Sequence, residues 1–510
     1  MAQTEQKNQN VKKQFEELQS LLERAMALQT SMVLFEWDDE TLAPKGAAEH
    51  TARVIGSLSE QYQEILASMR FKELLDVCQK AEKENAGVFD EVQSAILREA
   101  AEEQERLSCI PPEEYRAYAE LTARATGIWT RAREKNDFAS FAPVLKEIIS
   151  YQKKFAAYRA KPGQKLYDVM LDTYEKGFNM EMLDPFFELM KGKIVPLLKE
   201  SAERSNTVPD AFLSADYPEA AQAEAARFLA EYEGFDFDRG VLALSAHPFT
   251  TNLHNHDVRI TTHYQKRIDS SIFSVLHETG HAIYEFGIRD DLTQTLVGQG
   301  TSMGMHECQS RFFENILGRS KNFWIPIYAQ IQELLPEFKK HSLDEFCREI
   351  NHVQNSMIRT EADEVTYCLH IILRYEMEQA IFRDHVPVSE LPALWNQKMQ
   401  DYLQITPSND AEGILQDMHW SDGSFGYFPS YALGSAYGAQ MLRRMEQDVD
   451  VWGAAARGDL TPITAWLREK VHQYGGLMEP ADVVKNACGD FSAEDYIQYL
   501  TRKYTELYGL

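Results

Sequence analysis

The stretch SIFSVLHETGHAIYEF, from Ser271 to Phe286, constrains this chain more than any other. Positions four apart share one face of an α-helix. His277 and His281 therefore aim two imidazoles at one point, and Glu278 stands beside the first. Ile272, Phe273, Val275, Leu276, Ile283 and Phe286 give the helix a broad apolar surface, so it is expected to be buried. Asp269, Ser270 and Ser271 are the N-cap candidates. Buried polar side chains are costly unless something satisfies them. A metal would do so, and H-E-x-x-H is the arrangement in which two histidines bind zinc and the glutamate works on water. The competing reading is a pair of hydrogen-bonded core histidines; the fit of the motif to its helix favours the metal.

The rest of the composition narrows the partners. The formal charge of −27 argues against nucleic acid and anionic membrane surfaces, which both need a basic footprint. No apolar run approaches the ~18 residues of a membrane span. The first residues, MAQTEQKNQNVKKQFEELQ, lack a signal-peptide core, so a cytoplasmic protein is expected. Six cysteines are scattered without a C-x-x-C pair, consistent with thiols in a reducing compartment.

Helical periodicity dominates the 510 residues. Phe15, Leu18, Leu22, Met26 and Val33 recur at mostly three- and four-residue spacing. Pro44 and Gly46 mark a break, and helical patterns resume to about Ala160. Asp184-Pro185 opens a helix towards Ser201, and Ser205 to Pro218 is irregular. Val241 to Tyr264 differs: Val258, Ile260 and Thr262 alternate with Arg259, Thr261 and His263, and Asn255-His256-Asp257 suits a turn. This predicts a small β-hairpin or ribbon directly before the metal helix. Ser492 and Asp495 read as a capping pair. No linker rich in Pro, Gly or Ser divides the chain, so a single mainly α unit over 1–510 is expected.

Catalytic zinc usually keeps three protein ligands and an open position. Glu307, at the start of the next helical run, is the first choice for the third; His306 and Glu314 are its rivals. Arg359 and Asp363 stand at i, i+4 on an expected helix. Arginine offers a planar fork for a carboxylate, although by spacing alone a plain intrahelical ion pair is the better reading. His247, His419, Tyr427 and Tyr431 are candidate donors to an oxyanion. Gly413 to Trp420 packs Gln416, Asp417, His419 and Trp420 into five residues.

Several of these stretches together resemble one family, the thermostable metallocarboxypeptidases typified by carboxypeptidase Taq. They appear in order: His247-Pro248-Phe249; Asp257-Val258-Arg259-Ile260-Thr261; His277-Glu278-Thr279-Gly280-His281; His306-Glu307-Cys308-Gln309; Ile358-Arg359-Thr360-Glu361-Ala362-Asp363; and Gly413 through Trp420. Trp37-Asp38 and Pro44 to Glu49 also resemble the family's N-terminal region. Cys308 departs from the family's more frequent serine. The resemblance implies a large helical fold with a deep groove, roofed by N-terminal helices over about 1–160, and a homodimer. It implies release of single amino acids from peptides with a free C-terminus, with broad preference. It makes Glu307 the third ligand beside His277 and His281, with zinc first and cobalt or manganese as alternatives, and Glu278 the general base and acid. It makes Arg359 a clamp for the substrate carboxylate, with Arg259 a second candidate. His247, Gln416, His419 and Tyr427 become substrate contacts. Because the whole chain is acidic, such arginines must act within a Debye length, ~8 Å at physiological salt.

Two other functions compete. An oligo-endopeptidase would use the same metal chemistry but cut internally. A non-catalytic helical scaffold would hold a structural metal, and Glu278 argues against it, since a structural site gains nothing from an acid–base group there.

Overall fold

A computed structural model describes residues 2–44, 46–205 and 211–510. Among these residues the secondary structure is overwhelmingly helical, with one three-stranded sheet. The mainly α expectation holds. The backbone divides into two compact units, each threaded from three segments. The first takes Met1–Cys109, Ala215–Thr301 and Asp459–Ala487; the second takes Ile110–Ser214, Ser302–Gly458 and Cys488–Leu510.

In the first unit the helices Ala2–Thr41, Ala48–Leu66, Met69–Glu84 and Glu91–Ser108 share a core. Phe15, Leu18 and Leu22 meet Phe71, Leu74, Ile96 and Leu97 there, as the heptad-like spacing of the first helix predicts. Ser68 accepts from Phe71 N and Asp90 forms a capping box with Gln93, which fixes where two of these helices begin. The sheet comprises β1 (Gly240–Leu244), β2 (Thr250–His254) and β3 (Asp257–Thr262). The predicted hairpin is β2 and β3, which pair antiparallel; β1 adds a parallel pairing to β3. β3 is thus central, and Val258 and Ile260 are wholly buried.

The helix that carries the H-E-x-x-H motif spans Ile268–Phe286 and packs on β2, β3 and the Glu219–Glu233 helix. It starts three residues before the expected Ser271. Its N-cap is Arg267, which makes no side-chain cap bond. The proposed caps are otherwise engaged: Asp269 pairs with Arg267 at 2.8 Å, and Ser271 donates to Gln222 at 3.0 Å.

In the second unit the helix Met303–Arg311 widens into a π-helical turn over Phe312–Leu317. It lies against the Phe428–Asp448 helix, and Gly434 makes the approach close. A Cβ at Gly434 would stand 2.7 Å from Glu307 Cβ and 2.8 Å from Cys308 N. Gly434→Ala is therefore expected to push the Glu307 helix away and to cost about 1–3 kcal/mol, the usual range for overpacking; the urea midpoint measures it. An unchanged midpoint would mean that the helices separate freely.

Three local expectations in this unit need correction. The helix expected from Asp184 runs from Met180 to Ser205, because Asn179 accepts from Met182 N and Pro185 is absorbed near its start. Ser492 precedes the Ala493–Tyr508 helix without a side-chain cap bond, and Asp495 pairs with Arg443 at 2.7 Å. Of the irregular stretch from Ser205 to Pro218, residues 206–210 lie outside the described residues, and Ala211–Ser214 is a 3₁₀ turn.

Candidate active site

In the first unit one turn of helix brings His277 and His281 together. Their ring centroids are 4.9 Å apart and nearly perpendicular, and both residues are half-buried. Glu278 is 6% exposed. Its carboxylate is held by a residue that sequence reasoning missed: Thr250 Oγ1 donates to Glu278 Oε2 at 2.5 Å and to the Glu278 carbonyl at 3.2 Å. Two residues along β2, on the same face, Asn252 donates to Glu285 two turns further down the helix. β2 thus grips the motif helix at two points, and one of them is Glu278 itself. Its only sequence signal is a threonine following His247-Pro248-Phe249.

Arg259 projects from β3. It makes a bidentate pair with Asp257, at 2.9 Å on both oxygens, and lies 4.8 Å from the Trp37 ring. The aromatic face and the carboxylate hold the guanidinium in one plane. His247 is exposed in the β1–β2 loop, where its carbonyl accepts from Ser245 at 2.7 Å. Burial, with the neighbouring His247 adding to it, holds the His263 imidazole below its ordinary pKa.

In the second unit Glu307 is 6% exposed. Arg311, one turn on, donates through Nε to Glu307 Oε1 at 2.7 Å and lies 3.9 Å from the Tyr367 ring. Glu314, a rival for the third ligand, is in ion pairs with Arg311 and Arg319, both at 3.5 Å. His306, the other rival, is half-buried.

The start of the Glu307 helix rests on Glu175, which accepts from Gly304 N and the Tyr437 hydroxyl, both at 2.9 Å. Burial pushes the Glu175 carboxyl up to about 7, against the hydrogen bonds from Ser302, Tyr437 and Gly304. Burial does the same to Glu378, also to about 7, against hydrogen bonds from Trp420, Tyr167 and Gly426. A carboxyl raised in the folded state holds its proton more tightly there than in the unfolded chain. Its contribution to stability is complete below the ordinary carboxyl value and is lost as pH rises through about 7. Urea midpoints measured from pH 5 to 8 are expected to fall less steeply in Glu378→Gln than in the wild type. An identical slope would show that Glu378 does not titrate in that window.

Arg359 is not on the expected helix with Asp363. A 3₁₀ turn covers Arg359–Glu361, and Asp363 caps the following Glu364–Phe382 helix by accepting from Val365 N and Thr366 N. The partner of Arg359 is Asp417, 2.8 Å from Nε. Arg359 Nη1 also donates to the Tyr367 hydroxyl at 3.2 Å, and its backbone N donates to Gln416 Oε1 at 3.0 Å. The Gln416 amide nitrogen donates to the carbonyls of Glu412 and Met357. His419 Nε2 lies 3.3 Å from the Tyr431 hydroxyl, and the His419 and Tyr427 rings stack at 5.7 Å. Burial holds the His419 imidazole down to about 4, so it is neutral at pH 7.

Two imidazoles and one carboxylate suit a divalent transition metal with an open position. The first unit carries the paired imidazoles of His277 and His281, and the second carries the Glu307 carboxylate. Comparison with known proteins sets this chain in a family. A model of the carboxypeptidase Taq (M32) metallopeptidases matches residues 17–504. Carboxypeptidase 1 of Bacillus subtilis (strain 168) is 44% identical over 492 residues, which are 96% of this chain and 97% of that protein. The crystal structure of M32 carboxypeptidase from Deinococcus radiodurans R1 is 30% identical and covers 98% of this chain and 100% of its own, with a TM-score of 0.93. A Pyrococcus furiosus carboxypeptidase structure described as Apo-Mg is 35% identical over 96% of this chain and 99% of its own, with a TM-score of 0.92. With its motifs in order and the match running nearly end to end, this chain belongs to the carboxypeptidase Taq (M32) family of metallopeptidases.

Proposed function

We propose that this metallocarboxypeptidase releases single amino acids from peptide C-termini with broad preference, and that Glu278 is its general base and acid. The observation that carries this reading is the His277–Glu278–His281 turn, with its paired imidazoles and a carboxylate oriented by Thr250. His277, His281 and Glu307 are the residues to hold one divalent metal, with zinc first and cobalt or manganese as alternatives. Such a metal, when bound, supplies Lewis acidity and lowers the pKa of water toward ~7.

The chain's own residues do the rest. Glu278 takes a proton from the attacking water and delivers it to the leaving amine. Thr250 keeps the carboxylate turned in one direction during both transfers. Arg359 receives the terminal carboxylate of the peptide, and Arg259 is the second candidate for that role. His247, Gln416, His419 and Tyr427 are the remaining substrate contacts; a neutral His419 can donate to an oxyanion or accept from an amide. Residues 1–510 serve as one catalytic unit, and the enzyme works as a cytoplasmic homodimer without nucleic acid or membrane partners. Among the described residues no helix is long and apolar enough to cross a membrane. Family membership favours stepwise removal of terminal residues over the internal cleavage of an endopeptidase.

Two tests bear on these assignments. Arg359→Ala is expected to lower kcat/KM about 10- to 100-fold on peptides with a free C-terminus, from the loss of a charge-assisted hydrogen bond worth about 1.5–3 kcal/mol. The C-terminal amides are expected to lose much less. Equal losses on both would refute the clamp. Metal analysis of the purified protein, with and without His281→Ala, is expected to show one divalent ion per chain lost in the variant.

A further inference from the structure

The polar cluster around Asp417 carries more positive than negative charge. Asp417 sits between two guanidiniums: Arg359 Nε donates to one carboxylate oxygen at 2.8 Å, and Arg374 Nε donates to the other at 2.6 Å. Gln416 Oε1 ties the same pair together, accepting from Arg374 Nη2 at 2.7 Å and from Arg359 N at 3.0 Å. Arg374 is fully buried in the Glu364–Phe382 helix, with Nη1 on the His370 carbonyl at 3.0 Å and its guanidinium 4.7 Å from the Trp395 ring. The side chains of Arg359 and Asp417 are each 9% exposed, so these two form the open edge of the cluster and Arg374 its closed side.

The neighbouring ionisable groups do not restore neutrality. Burial first, and then the Arg374 charge, hold His370 down to about 3; His419 is held to about 4. Both are neutral at pH 7. Burial lowers Arg374 only to about 10, so it stays charged. Burial works to raise Asp417, but the two guanidiniums overcome it and hold the carboxylate well below its ordinary value. Tyr367 and Tyr431, which face Arg359, are raised by burial and remain neutral. The next charges outward, Arg311 and Glu307, pair with each other. The cluster therefore holds two positive charges and one negative charge. Buried unbalanced charge is unfavourable. An anion at the exposed edge of Arg359 would balance it.

We infer that Arg374 is a positioning residue for the substrate carboxylate: by sharing Asp417 with Arg359, it keeps Asp417 from cancelling the Arg359 charge and leaves the cluster one anion short. This rests on the reading of Arg359 as the clamp. Without Arg374, Asp417 and Arg359 form a balanced pair that has no need of a carboxylate.

The test compares each enzyme on one peptide as the free acid and as the C-terminal amide. Arg374→Gln is expected to lower the acid-to-amide ratio of kcat/KM about tenfold or more, through KM for the acid. Arg374→Lys, which keeps the charge, is expected to retain most of the ratio. If Arg374→Gln keeps the wild-type ratio while Arg359→Ala loses it, the charge-sharing role is wrong and the clamp stands. If Arg359→Ala also keeps the ratio, the clamp reading falls and takes this inference with it. Should Arg374→Gln fail to fold, nitrate, a planar anion, decides on the wild type. It is expected to compete with the free-acid peptide and far less with the amide; equal inhibition of both substrates would overturn the inference.

Discussion

Replacing Glu278 by glutamine is expected to abolish peptide hydrolysis while metal content stays at the wild-type level. The substitution keeps the size of the side chain and its ability to accept from Thr250 Oγ1, so the local packing survives. It removes the carboxylate beside His277 that is proposed to take up a proton and return it. General acid–base catalysis contributes about 10²–10⁴ in rate. In its proposed role Glu278 acts in both the attack and the departure of the amine, so a loss in kcat of about 10³ or more is expected. Thr250→Val is the companion variant. It leaves the carboxylate but removes its hydroxyl partner, and a smaller loss in kcat with KM unchanged is expected, restored in Thr250→Ser. Full activity in Glu278→Gln would remove the general base from this turn of helix.

The second large effect is on stability. Asp417→Ala would leave Arg359 and the fully buried Arg374 without their shared counter-charge. Removing one partner of a buried ion pair costs about 3–5 kcal/mol, because the charge left behind is neither hydrated nor paired. The urea midpoint is expected to fall by an amount in that range. Asp417→Asn keeps hydrogen-bond acceptors on both guanidiniums and is expected to lose less. Removing the second guanidinium as well, in Asp417→Asn with Arg374→Met, relieves part of the damage, so the double variant is expected to be more stable than the two single losses added together. Strict additivity would show that Arg374 and Asp417 do not act as one unit.

What was legible in the sequence, and what was not, follows the distance over which each feature is encoded. The motif helix could be read because its four-residue spacing is local and its apolar face is written in the same sixteen letters. The β2–β3 hairpin could be read for the same reason: alternation and a turn. The parallel pairing of β1 with β3 could not, since another strand intervenes and nothing local records that Gly240 lies opposite Val258. Arg359 stands out in the sequence, but its spacing points to the wrong neighbour. Its spacing to Asp363 suggested one helix, whereas the chain bends at a 3₁₀ turn and brings in Asp417 from 58 residues away. Arg374 was missed. A faint signal existed, an arginine inside the apolar run Ile371-Ile372-Leu373-Arg374-Tyr375, because a buried arginine must have partners. The sequence could not say which partners. Thr250 was missed because a hydroxyl on a strand carries no motif of its own.

Metal-dependent release of single C-terminal residues is tested most directly by a digestion time course of one peptide followed by mass spectrometry, with the metal-loaded enzyme and with enzyme treated with a chelator but still folded. A ladder of products is expected, each one residue shorter from the C-terminus, with no products once the metal is removed. Internal fragments, or the same ladder after the metal is removed, would contradict it.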